Sequence, residues 1–561
     1  MSERRSGSSP LDREGAPVNG GFEDQHRPRR GARAATVAAF ATLLIAPLVA
    51  GALTMGTPAA LLSLPAESIA VVLLLLAIPS RRLRWLIAAA FGVVIVVAML
   101  VAALDLGFEA TIDRAFSLTQ DWPAIVSAYG VMRDATGTGN AILIVALIVA
   151  LAVAAVIAVA RAALRTERIA SRSGRTGRIV AATAATSWIL CALVGAQIWP
   201  GVPLASADSA RALAATSAQT ASSIREQAAF ERALSSDPLS VPAAGMLSRL
   251  QGKDVVVAFL ESYGAVAVQD STFTEGIARV LAEGGSQLSR DGYSAQSAFL
   301  TSPTFGGVSW LAHSTLQGGV WVDSQQKYDT LLASDRMTLT RAFKDAGWRT
   351  VSVVPSNTEP WQQGRAFYGY DTMLDASNMG YRGPTFSYAR IPDQYTWSHF
   401  YEQELAAPHE PIMAEVDFVS SHTPWTPLPR LVPWAEVGDG SVFDPQPAEG
   451  LAPTQVWPDQ QRVRNVYGQS VEYTLSAMFS FLHTHDQQDL VLIVLGDHQP
   501  ARIVSGEGAD HEVPITIIAR DPAVFEQIAS WRWQTGVRPS SEAPIWRMDQ
   551  FRDRFLQAFS G

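Results

Sequence analysis

The sequence predicts an α-helical membrane domain of five transmembrane helices followed by an α/β domain outside the cytoplasm. Three observations predict it. Five apolar runs fill the first 200 residues, strand-length apolar runs alternate with helical stretches after Lys253, and the arginines of the first part gather on alternate connections. Composition agrees, since 48% of the 561 residues are hydrophobic and only 17% are charged, the balance of a membrane protein with a soluble part. A net charge of −9 without a basic stripe gives no footing for a nucleic-acid partner. The single cysteine, Cys191, rules out disulfides within the chain and a cysteine metal cluster.

Residues 1–33, rich in Ser, Gly, Pro and Arg without an apolar period, read as a disordered cytoplasmic tail. The apolar runs cover about 35–55, 59–79, 85–104, 140–160 and 179–199, each close to the ~20 residues that cross a ~30 Å hydrocarbon core. Pro47 and Pro65 interrupt the first two, and Glu67 lies within the second. Together they make residues 34–200 a five-span domain. Arginines mark the tail (Arg27, Arg29, Arg30, Arg33), the second connection (Arg81, Arg82, Arg84) and the fourth (Arg161 to Arg178). The third carries only Arg114 and Arg133. Five crossings put all three basic segments on one side, so the N-terminus is cytoplasmic and the chain after Trp199 lies outside. Residues 201–250, Ala- and Ser-rich with scattered charges, read as a helical connector.

Residues 251–561 read as the α/β domain. "DVVVAFLES" (254–262), "WRTVSVVPS" (348–356), "PIMAEVDFVSSH" (411–422), "DLVLIVLGDH" (489–498) and "VPITIIAR" (513–520) are continuous apolar runs, as strands buried on both faces require. Helical patterns at 335–347 and 462–485 lie between them, which implies a mostly parallel sheet covered on both faces.

Three of these runs end in groups that bind metals: Glu261, His422, and the pair Asp497-His498. One acid after a strand is commonplace, and Gly-Asp often simply closes a turn. Three strand ends offering such groups share one rim in a parallel sheet, which is where open α/β folds place their ligands. Oxygen and imidazole donors suit Mn²⁺, Zn²⁺ or Mg²⁺. In "LTSPTFGGVSWLAHSTLQGG" (300–319) Thr304, ahead of two glycines and a helical run, is the candidate nucleophile, in competition with Thr301, Ser302 and Ser309. A hydroxyl at a helix start also sits beside free N–H groups that favour phosphate. His313 reads as a helix-face residue outside the site.

The pieces "FLESYG", "SPTFGGVSWLAHS", "NTEPWQQGRAFYGYD", "SSHTPW", "LGDHQ" and "HEVP", in this order, resemble the alkaline phosphatase superfamily. Within it they resemble the membrane lipoteichoic acid synthases and phosphoglycerol transferases. The resemblance implies an alkaline phosphatase/sulfatase-like fold in which Glu261, Thr304, Asp497 and His498 hold one divalent metal, manganese first, with zinc or magnesium also open. It implies that His422 contacts the substrate phosphate, that Trp361 and Arg365 bind a phosphoglycerol head, and that His511 lies near the phosphate or a second metal. Two departures stand out. Pro303-Thr304-Phe305 replaces the Lys-Thr-Ser of the lipoteichoic acid enzymes and is nearer to phosphodiesterase relatives. Spacing in the Trp361–Arg365 loop differs by two residues. A formylglycine sulfatase motif is absent, and the disulfides usual in phosphoethanolamine transferases cannot form.

The resulting expectation is a cell-membrane transferase. It would move a phosphoglycerol-type head group from a membrane phospholipid to an extracytoplasmic glycan or polymer through a covalent phospho-threonine. The alternatives are a tethered phosphodiesterase-like hydrolase, a phosphoethanolamine transferase, or a scaffold without activity.

Overall fold

The computed structural model describes residues 30–561 except 123–124, 127–128, 131, 134–136, 240–244 and 270–271. Most of the expected N-terminal tail therefore lies outside the described residues. Two compact units divide the chain, one built from residues up to 99 and 146–210, the other from 100–145 and 211–561.

The first unit contains helices α1 (Arg30–Met55), α2 (Ala66–Ala77), the start of α3 (Arg81–Ile112), most of α4 (Thr138–Arg172) and α5 (Gly174–Leu193). Among the described residues four helices are long and apolar enough to cross a membrane, and α2 is not one of them. The second apolar run breaks into a 3₁₀ turn at Pro58–Leu62, a two-residue strand at Leu64–Pro65 and the 12-residue α2. At 1.5 Å per residue α2 is about 18 Å long, short of the hydrocarbon thickness. Pro65 stands at its N-cap. Glu67, in its first turn, accepts a hydrogen bond from the Ala210 backbone at 3.0 Å. Three arginine-bearing ends meet in this unit. Arg165 of α4 donates to the Ala32 carbonyl (2.9 Å) and Thr36 Oγ1 (3.0 Å) of α1. Arg84 of α3 pairs with Glu167 of α4 at 2.5 Å.

The second unit carries a nine-stranded sheet. Its strands are β1 (Asp254–Leu260), β2 (Ser294–Thr301), β3 (Arg349–Val354), β4 (Thr372–Asp375), β5 (Ile412–Phe418), β6 (Leu490–Gly496), β7 (Glu512–Ala519), β8 (Gln534–Thr535) and β9 (Ile545–Arg547). The order is β8-β2-β7-β6-β1-β5-β3-β4, with β9 on β2. From β6 to β4 all neighbours run parallel, and β7 is antiparallel to both β6 and β2. Alternate side chains of β1 feed two cores. Val256, Ala258 and Leu260 face one, while Val255, Val257 and Phe259 face the other. Burial on both faces is why these strands read as unbroken apolar runs. Helix α6 (Asp208–Ser235) fills much of the expected connector. Helices α7 (Glu275–Arg290) and α9 (Gln460–Thr484) pack against each other, and α8 (Ser309–Gly318) follows the Thr304 loop.

Candidate active site

Parallel pairing of β1 with β6 brings Glu261 and Asp497, the residues that follow these strands, to one edge. Gly496 permits the close packing there, because a Cβ at that position would fall 1.9 Å from the Tyr263 carbonyl oxygen. The Asp497 carboxylate accepts from the Ser262 N–H at 2.8 Å and the His498 N–H at 2.7 Å, which aims it across the strand ends. His498 Nε2 lies 3.4 Å from both Glu261 Oε1 and Asp497 Oδ2, and one ligand atom from each of the three residues falls within a 4.8 Å group. His498 Nδ1 sits 2.8 Å from the Gln499 carbonyl. A carbonyl only accepts, so Nδ1 carries a proton, which leaves Nε2, the nitrogen facing the carboxylates, as the one that would ligate a metal once its own proton is displaced.

Electrostatics give the cluster a purpose. Burial and the Glu261 charge push Asp497 up to about 6. Burial alone would raise Glu261 too, but the charges of His422 and His498 hold it well below the usual range. Against burial, Asp497 and Glu261 raise His498 to about 9. Two carboxylates thus share one imidazolium proton in a buried site, and a divalent cation answers the same need with more charge. Hard oxygen donors plus imidazole fit Mn²⁺, Zn²⁺ or Mg²⁺.

The Thr304 loop is stitched to this edge. Ser302 Oγ donates to the Asp497 carbonyl at 2.6 Å, Ser302 N–H to the His511 carbonyl at 2.8 Å, and Gly306 N–H to the Gln499 carbonyl at 2.9 Å. Thr304 is buried, and its hydroxyl donates to the Gly307 carbonyl at 2.6 Å. Helix α8 starts only at Ser309, so Thr304 does not occupy a helix start as its sequence context predicts. From this loop and the helix after it, the hydroxyl that touches the cluster is that of Ser309, 3.0 Å from Glu261 Oε2 and 3.3 Å from His498 Nε2, while Ser262 Oγ donates to Glu261 Oε1 from the strand end. Val308 before it has φ +58°, a left-handed conformation costly for a β-branched residue and characteristic of functional turns.

A cavity of about 500 Å³ opens on this edge, lined by Glu261, Ser309, Trp361, His422 and Asp497 among others. The His422 ring stacks on Tyr388 at 3.6 Å. Arg365 is elsewhere: its guanidinium donates to the Tyr370 and Asp371 carbonyls (3.3 and 2.6 Å) and is not part of the lining. His511 is not part of it either, and its Nε2 lies 3.3 Å from Asp113 Oδ2.

Sequence reasoning passed over a second cluster on the cavity wall. His313 of α8 lies 3.2 Å from Glu415 and 3.5 Å from Asp417, and stacks on Phe259 at 3.8 Å. Burial and the nearby acids raise Asp417 to about 7, while the acids lift His313 to about 9 against its burial. The signal was present in "PIMAEVDF", where Glu and Asp alternate with apolar residues inside a strand buried on both faces. Such acids need partners or a task.

With this geometry in view, residues 310–518 match the model of the sulfatase family. The match covers less than half of the chain and shows that this stretch is similar to a superfamily of metal-dependent enzymes. The matched stretch starts at Trp310, so Glu261, Thr304 and Ser309 precede it, while Trp361, Arg365, His422, Asp497, His498 and His511 fall inside. No curated protein matches the sequence. Among solved structures, the lipoteichoic acid synthase LtaP of Listeria monocytogenes is similar at 13% identity, over 54% of this chain and 71% of that one, with a TM-score of 0.34. The phosphoglycerol transferase GacH of Streptococcus pyogenes, solved with sn-glycerol-1-phosphate, is similar at 11% identity over 59% and 91% (TM-score 0.34). The integral membrane lipooligosaccharide phosphoethanolamine transferase EptA of Neisseria meningitidis is similar at 11% over 93% and 95% (TM-score 0.45). With TM-scores of 0.45 and below, the functional argument rests on the residues themselves.

Proposed function

We propose that the chain is a metal-dependent membrane transferase. It moves a phosphoglycerol-type head group from a membrane phospholipid, phosphatidylglycerol first, to an extracytoplasmic glycan or polymer, with residues 251–561 as its catalytic domain. The observation that carries this is the Glu261–Asp497–His498 cluster opening onto a cavity walled by His422 and Trp361. Glu261, Asp497 and His498 would hold the metal, manganese first, which supplies Lewis-acid polarisation of the phosphoryl oxygens and a lowered hydroxyl pKa.

Thr304 is the nucleophile in this reading. Its oxygen forms a bond to phosphorus while the bond from phosphorus to the diacylglycerol oxygen breaks. The proton Thr304 gives up balances the one the departing diacylglycerol takes. An acceptor hydroxyl then attacks the phospho-threonine, and Thr304 regains its proton. His422 balances charge on the phosphoryl group during both transfers. The contacts of Ser309 with Glu261 and His498 favour a second reading in which Ser309 is the nucleophile.

The membrane part is proposed to cross five times, the fifth crossing being made by α2 with the 58–65 segment. The meeting of the α1, α3 and α4 arginine ends supports it, because basic ends belong on the cytoplasmic side.

The test is mass spectrometry of the purified chain after incubation with phosphatidylglycerol and Mn²⁺, beside Thr304→Ala and Ser309→Ala. A phosphoglycerol adduct on the 300–319 peptide that Thr304→Ala abolishes establishes the nucleophile and the donor. Loss in Ser309→Ala alone moves the role to Ser309. Release of diacylglycerol with neither an adduct nor transfer to an acceptor favours the hydrolase. No adduct and no release, with phosphatidylethanolamine tried in turn, overturns the reading.

A further inference from the structure

Among the described residues, those lining the cavity at the Glu261–Asp497 edge include no lysine or arginine. A phosphate arriving there meets histidines and whatever cation the acids hold. A guanidinium and an imidazole outside that lining, those of Arg502 and His511, converge on one carboxylate beside the Thr304 loop. Arg502 opens a short helix, Arg502–Ser505, five residues after Asp497. His511 stands just before β7, its carbonyl bonded to Ser302 and its ring 5.3 Å from that of Phe305, the neighbour of Thr304. One carboxylate bridges the two. Asp113 accepts from Arg502 through Oδ1 and lies 3.3 Å from His511 Nε2 through Oδ2. All these residues belong to the second unit.

Asp113 is presented by a braced turn. It follows α3 with φ +56°, and Arg114 grips Asp121 with two bonds of 2.6 and 2.7 Å. The Asp105 side chain accepts from Phe116 N–H at 3.0 Å, and Phe116 is buried. A second contact seats this turn on the loop: a Cβ at Gly306 would fall 2.1 Å from the Thr111 carbonyl oxygen. Gly306, itself at φ +68°, is what lets the backbone come so close.

A carboxylate with one oxygen on a guanidinium and the other on an imidazole holds the donors as a phosphate would. We propose that Arg502 and His511 form an anion subsite beside Thr304, filled here by Asp113, and that a phosphate group takes over this subsite when the carboxylate swings away. The proposal deepens the transferase reading and rests on it for the role of the phosphate, which is either the lipid head-group phosphate or a free one. A tethered carboxylate competes at high effective concentration, so its removal exposes the intrinsic affinity of the pair. The subsite would place two donors against charge developing on the phosphoryl group.

Binding tests this without activity. The full chain in detergent, treated with chelator so that no metal holds the anion, is titrated with inorganic phosphate by calorimetry. Asp113→Asn keeps the shape of the side chain and removes its charge. It is expected to bind phosphate about tenfold more tightly than the native chain, and the double variant with Arg502→Gln is expected to lose that gain. Competition of the bound phosphate by phosphatidylglycerol micelles assigns the subsite to the lipid head group, and failure to compete assigns it to free phosphate. Equal affinity in all three chains overturns the proposal. So does an Asp113→Asn chain that melts earlier without any gain, because Asp113 is then a brace only. A gain in a chain that forms no adduct would sink the transferase reading and leave the subsite standing.

Discussion

Glu261 and Asp497 both face Nε2 of one imidazole, and their repulsion in a buried place decides what the cluster accepts. Asp497→Asn removes one of the two charges while its amide oxygen still accepts from the Ser262 and His498 N–H groups. Metal content, read by elemental mass spectrometry after equilibration with limiting Mn²⁺, is expected to fall by at least the 10–100-fold affinity loss that outer-shell changes already cause. Away from the cluster, Asp393 is fully buried, accepting from Ser420 N–H at 3.0 Å and Thr474 Oγ1 at 2.6 Å. Burial raises its pKa from 3.8 to about 6. The folded state therefore holds this proton more tightly than the unfolded chain. The stability it contributes is full below about pH 4 and is lost as pH rises through about 6, a swing on the order of 3 kcal/mol. In Asp393→Asn the melting temperature, compared with the native chain from pH 4 to 7, is expected to lose that fall, because the amide still accepts from Ser420 and never ionises.

Strands and helices carry the site by their ends. Gly496 closes β6 against the Tyr263 carbonyl, so Gly496→Ala must push apart backbone that neither strand can spare. It is expected to cost metal affinity as well as stability, with both measured on the same preparation. Helix α9 is anchored by Asp459, whose carboxylate accepts from the N–H groups of Gln461 and Arg462. Asp459→Ala is expected to lower unfolding stability by about 1 kcal/mol in denaturant titration and to leave metal content unchanged. Strands β1, β3, β5 and β6 were legible because double burial writes an unbroken apolar run. β2, "SAQSAFLT", was not, since its first half is polar and partly exposed. The antiparallel direction of β7 was equally hidden, because an apolar run carries no arrow.

At the scale of the whole molecule, the long apolar helices among the described residues leave many large hydrophobic side chains exposed, such as Leu143, Val149, Leu151 and Leu190. Lipid is the solvent that suits such surfaces. Five crossings make a checkable statement. In a Cys191→Ser chain, cysteines at Ser80 or Ser173 are expected to react with an impermeant maleimide only after permeabilisation, and a cysteine at Thr57 in intact cells. Labelling of Ser80 and Thr57 from the same side would leave α2 outside the count of crossings. Metal binding to the folded chain alone should also raise the melting temperature, by an amount equivalent to about 2.7 kcal/mol at a hundredfold excess over Kd, and chelator should reverse it.

Local patterns were enough to read the division into apolar helices and an α/β domain, and to find Asp497-His498 at a strand end. Both are written within a few neighbouring residues by burial and by the position where a strand stops. The partners that give the site its chemistry depend on loop paths instead. Ser309 rather than Thr304 touches the acids because α8 begins five residues later than the nucleophile motif implies. His313 meets Glu415 and Asp417 across more than a hundred residues of chain. Asp113 reaches Arg502 across 389. No periodicity records such meetings, since they arise only when packed strands and helices bring distant turns to a common edge.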